Sequence, residues 1–125
     1  RDVMKMKDDL YEQTIELINI VKKAERIYRE AREKDLHADF QTVVKPFADQ
    51  VKQLVDEWLP NAEQWVAVNR PKYLSSMQLK NTHNNILQVS VHCYFPESSK
   101  SRFIKHCKAS LFVLEQIQTE KENGR

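Results

Sequence analysis

The stretch VSVHCYFPESSKSRFIKHC, residues 89–107, sets His92-Cys93 and His106-Cys107 on either side of a Pro-Glu-Ser-Ser break. Imidazole and thiolate are zinc ligands and the working groups of thiol chemistry, so a metal centre, a redox pair and a structural role all need weighing. If antiparallel helices flank the break, the two cysteines are offset by about five residues, roughly 7.5 Å along the axes. On helices about 8–10 Å apart, their Cα separation then exceeds the roughly 7 Å that a disulfide tolerates. Neighbouring helical residues point about 100° apart, so His92 and Cys93 cannot both face one partner helix. His83 and His92 fall on opposite faces, and no histidine has a glutamate three residues before it. The spacing favours two core thiols with histidines on the polar or flanking faces, and no metal or cofactor is expected.

Other chemistry is equally thin. Arg102-Phe-Ile-Lys-His106 resembles the Arg-His pair of HEPN-type helical ribonucleases, but with a shorter spacing, and Arg and His four apart suit any polar helical face. No serine sits in a nucleophile elbow and no carboxylate pair stands out, so no catalytic residue is named. Two basic clusters remain as binding candidates. Lys100, Arg102, Lys105, His106 and Lys108 crowd the start of the last helix, with no acid between Glu97 and Glu115. Cations there oppose the helix macrodipole, at a small cost. An anion or acidic-partner surface and a merely solvated face both account for them. In NRPKYLSS (69–76), Arg70, Lys72 and Tyr73 form either a docking corner or a rigid inter-helix turn.

Composition narrows the classes further. The 125 residues fit one domain, 1–125, and the single glycine, Gly124, excludes phosphate-cradling loops and dinucleotide turns. A net charge of +2 argues against a nucleic-acid partner, and no apolar run suggests a membrane partner. With no export signal and two cysteines expected reduced, a cytoplasmic location is the expectation.

These residues must be positioned by helices. Apolar residues recur at steps of three and four over residues 3–34, from Val3 and Met6 through Leu10, Leu17, Val21 and Tyr28. A second helix is expected over 39–69, N-capped by Asp39, with Phe40, Val44, Phe47, Trp58, Trp65 and Val68 inward and kinks or a break at Pro46 and Pro60. The third, over 75–95, starts on a capping box of Ser75 and Gln78, with Leu74 and Leu79 as a hydrophobic staple. The fourth, over 98–121, turns Phe103, Cys107, Leu111, Leu114 and Ile117 inward. Short connections make this an all-α, up-and-down antiparallel four-helix bundle. The first pair of helices outruns the second, so the segment near Phe40, Val43 and Val44 either caps the core or leaves an apolar patch for a partner.

DFQTVVKPF (39–47), the region around Trp58, RPKYL (70–74) and the Pro-break leading to Arg102-Phe103 together resemble the YppE-like family of small bacterial proteins, over about residues 10–118. The resemblance implies the same four-helix bundle and a low-GC Gram-positive origin. It implies no activity, because the family is a domain of unknown function. The chain departs from that pattern at Pro60 and Pro96. The expectation is therefore a non-catalytic protein-interaction or regulatory module, monomeric or homodimeric, with another protein as partner. The alternative is a metal- or RNA-dependent helical enzyme, HEPN-like or DinB-like, built on His106 and its neighbours.

Overall fold

In the computed structural model the chain is described from residue 9 to residue 124. Helix α1 (Asp9–Lys34) is followed by a five-residue π-helical turn (Phe40–Val44) that runs directly into α2 (Lys45–Asn69). Helices α3 (Ser76–His92) and α4 (Lys100–Glu122) complete the fold, and the described residues contain no strand. The expected helical residues 3–8, with Val3 and Met6, lie outside the described residues.

Each helix packs on the next, and α4 closes the ring against α1. The α1–α4 pair is antiparallel: Tyr28 stacks on Phe103 near the end of α1, while Tyr11 near its start bonds to Glu122. The expected up-and-down bundle is the fold.

The core follows the helical periodicity with two corrections. Leu10, Leu17, Val21, Ala24 and Tyr28 of α1 are buried, as are Phe47, Val51, Val55, Trp58, Ala62 and Trp65 of α2. Phe40 and Val68, expected on the inward stripe of α2, are exposed. Phe40 sits in the π-helical turn, whose wider winding breaks the phase of the α-helix that follows. Val68 lies in the last turn of α2, before α3 has begun beside it.

Helix ends are set by specific side chains. Asp39 starts the π-helical turn by accepting from the backbone N–H and the hydroxyl of Thr42. The expected capping box is present: Gln78 donates its N–H to the Ser75 hydroxyl, and Ser75 donates its N–H to the Gln78 side-chain oxygen. Leu74 and Leu79 are both in the core. Pro46 stands in the first turn of α2, where a missing N–H costs least. Of the kink or break expected at Pro60 no break occurs, and α2 runs on through it. Pro60 is exposed, so water can reach the Asp56 carbonyl that its ring leaves without a donor. With no glycine available, α1 and α2 end on Asp35 and Arg70 at φ 53° and 47°, in the left-handed region.

α3 ends at His92, three residues earlier than its pattern suggests, in short turns that bond Tyr94 N to Val91 O and Phe95 N to His92 O. α1 holds this connection from the side. Tyr28 donates its hydroxyl to the Ser98 carbonyl at 2.6 Å, and Arg32 donates to the Pro96 carbonyl at 2.8 Å and to the Tyr28 oxygen at 3.2 Å. Turn carbonyls with no helical partner are thereby satisfied by one residue pair on α1.

Candidate functional site

The His-Cys pairs resolve first. Cys93 and Cys107 are free and fully buried. Burial pushes both thiols up to about 12, with each other's proximity adding to Cys93 and Glu25 adding to Cys107. Such thiols stay protonated at neutral pH and are poor nucleophiles. Cys93 instead donates weakly to the Ser90 carbonyl at 3.6 Å. Among the described residues no group of three or more His, Cys, Asp or Glu is placed to hold a metal ion.

The two binding clusters lie at opposite ends of the bundle. Arg70, Lys72 and Tyr73 occupy the α2–α3 turn, all three exposed. Arg70 is held there by its N–H bond to the Val66 carbonyl at 2.8 Å. Arg102, Lys105 and His106 lie in the first two turns of α4, at the other end. Even these three divide. His106 is half-buried, and its imidazole is held below its ordinary value by burial, then by Arg102, His92 and Lys105. Ile104, about 200° away around the helix, lines the groove against α1, which leaves the His106 flank of α4 toward α3. Lys105 turns the other way, sharing a shallow depression with Lys100, Ile104, Lys108 and Ala109.

That depression opens into a deeper groove between α1 and α4, of about 420 Å³. Tyr28 and Phe103, stacked with centroids 4.1 Å apart, are among its lining side chains. Arg29, Arg32 and Lys100 supply its cations, and Glu25 and Glu33 its carboxylates. Glu30 and Lys34 pair at 3.0 Å on another face of α1, whereas Glu25 and Arg29, equally four apart, are not within ion-pair distance. Sequence periodicity alone could not show this groove, because its two walls are about seventy residues apart in the chain.

A second exposed feature lies at the same end. Leu36, Phe40 and Val43 are exposed, Phe40 to 54%, while Val44 and Phe47 beside them are buried. Val44 is thus buried against its own helix, outside the main core cluster, while its neighbours face outward. No helix among the described residues is long and apolar enough to cross a membrane.

The family described as a bacterial domain of unknown function, DUF1798, matches residues 14–120. The uncharacterized protein YppE of Bacillus subtilis is 26% identical over 111 residues, covering 89% of this chain and 90% of that protein. Its crystal structure superposes with a TM-score of 0.88 at 25% identity, over 95% of this chain and 98% of that one. A protein of unknown function from Listeria innocua gives a TM-score of 0.86 at 28% identity, over 93% and 95% of the two chains. The YppE-like resemblance drawn from DFQTVVKPF and RPKYL is thus correct, and the chain belongs to the DUF1798 family of bacterial domains of unknown function.

Proposed function

We propose that this protein is a non-catalytic protein-interaction module of the bacterial cytoplasm, whose contact surface includes the segment Leu36–Val43. The observation that carries this reading is the outward placement of Leu36, Phe40 and Val43 next to buried Val44 and Phe47. The inner pair is buried without them, so the exposed outer three contribute little to folding and are available to a partner. Two free, buried thiols suit a reducing compartment.

The test places a photo-crosslinking amino acid at position 40, with position 80, also exposed, as the control. In native bacterial extract, position 40 is expected to give a discrete protein adduct that position 80 does not. Phe40→Asp, introduced with a second crosslinker at position 43, should abolish that adduct while leaving the thermal midpoint within a few degrees. Equal labelling from positions 40 and 80 would refute the proposal.

A further inference from the structure

We infer that the outer face of α4, together with the groove it forms with α1, docks an acidic amphipathic helix presented by a partner protein. The inference rests on the interaction reading above and assigns a surface and a partner chemistry to it. Three observations support it.

The first is shape. Lys100 and Ile104 line both the α1–α4 groove and the shallow depression beside it, so the two are one continuous surface. The groove offers a concave seat for a side chain, floored by the Tyr28–Phe103 stack.

The second is an apolar line along α4. Ile104 and Phe112 lie eight residues, about two turns, apart on the outer side of α4 with Lys108 midway between them, and Phe112 is 55% exposed. Two apolar side chains about two turns apart suit anchors that an amphipathic helix projects at i and i+7.

The third is unpaired charge. Lys34, Lys45 and Lys52 each have a carboxylate four residues away on their own or the adjoining helical turn. Among the described residues Lys100, Lys105 and Lys108 have none within ion-pair distance, nor has Arg29 across the groove. Other surface cations among these residues, such as Lys22 and Lys80, also lack one, but α4 alone carries several in a row with no acid between Glu97 and Glu115. A partner bearing Asp or Glu beside its apolar anchors would supply those counter-charges at the rim, where they steer and orient association.

A polyanion or an anionic membrane would meet the same lysines. Both would also meet Glu25 and Glu33 in the groove wall, and a flat bilayer could not enter a concave seat. Base stacking would need exposed aromatic faces interleaved with the cations, whereas Tyr28 and Phe103 are buried and stacked on each other, which leaves Phe112 exposed by itself on this surface. A polypeptide can place its acids against the lysines and a neutral or basic residue against the glutamates.

The experiment is a display selection of a random peptide library on the folded chain, counter-selected on a Lys105→Glu/Lys108→Glu variant of unchanged thermal midpoint. The expected result is enrichment of sequences with apolar residues at i, i+3 or i+4 and i+7, flanked by Asp or Glu. Their binding should fall at least about tenfold on the charge-reversed variant and on Phe112→Ser, and weaken with salt. No enrichment, or enriched peptides that bind the variant equally, overturns the inference. So does binding of phosphatidylserine-containing vesicles or single-stranded RNA that depends on Lys105 and Lys108 when no acidic peptide is enriched. Crosslinkers at positions 40 and 108 separate this inference from the broader reading. Adducts from 40 without any from 108 overturn the α4 surface and leave the interaction reading standing.

Discussion

Trp58 donates its indole N–H to the Thr14 hydroxyl over 3.1 Å, joining α2 to α1 inside the core. Both side chains are fully buried, so neither polar group has water to fall back on. Thr14→Val keeps the shape and removes the acceptor. It is expected to cost about 1–3 kcal/mol in urea unfolding, the usual penalty for stranding a buried donor. Trp65 offers the internal contrast, because its Nε1 is buried without a hydrogen-bond partner among the described residues. Trp65→Phe should therefore cost less than Trp58→Phe, although both delete the same N–H. The reverse order would show that the Trp58–Thr14 bond contributes nothing net.

The thiols make a prediction with a sign. Burial raises Cys93 and Cys107 from 9.0 to about 12 in the folded protein. Above pH 9 the unfolded chain releases these protons while the folded chain keeps them, so stability falls as pH rises. The contribution is present in full below about pH 9 and is eroded between there and about pH 12. A Cys93→Ala/Cys107→Ala variant, less stable at pH 7 through lost packing, should show a shallower alkaline decline. Iodoacetamide at pH 8 should label neither thiol in the native protein and both in urea.

Asp56 bears on the acid side. Its carboxyl is held below 3.8 by the hydrogen bond from Lys52 first and by His83 second, with His83 Nε2 2.7 Å from Oδ1. A depressed carboxylate stabilises the fold above its unfolded value and loses that contribution as pH falls through the folded one. Asp56→Asn should therefore cost less than about 1 kcal/mol at pH 7, because the pair is partly exposed and screened. The deficit should shrink steadily below about pH 4. An equal deficit at pH 3 and pH 7 would place its cause in packing instead.

How much of this was legible from the chain depends on the range of the interaction. The stripes of α1 and α4, the Ser75–Gln78 capping box and the unbridged cysteines depend on spacings within one or two helices, and a linear pattern carries them. Phe40 and Val68 were misassigned because periodicity shows a face but not where the neighbouring helices stop covering it. At Pro60, where the sequence suggests a kink or a break, the helix is not interrupted for a related reason: exposure of that turn, which decides the cost of a lost bond, is a tertiary property. Lys105 could be read as a basic residue, whereas the groove beside it needs Arg29, Arg32 and Phe103 brought together from two distant helices. The clamp of Tyr28 and Arg32 on the Pro96 and Ser98 carbonyls leaves no local signature at all.

Arg70 makes the last prediction, because it belongs both to the backbone and to the basic corner at 70–73. It ends α2 in the left-handed region, φ 47°, where glycine is strongly preferred and a residue with Cβ costs roughly 1–2 kcal/mol. Its side chain is exposed and makes no ion pair or hydrogen bond among the described residues. Arg70→Gly relieves the strain and loses no side-chain contact. Glycine also gains freedom in the unfolded chain, which takes back about 0.4–1 kcal/mol. The net expectation is a stabilisation of about 0.5–1 kcal/mol, read as a higher urea midpoint with an unchanged slope. Arg70→Ala keeps the Cβ and should leave stability near that of the wild type, so the pair of variants separates backbone strain from side-chain loss. If Arg70→Gly instead lowers the midpoint, the guanidinium must hold a folded-state contact at that corner, and α2 would not end in the backbone geometry described.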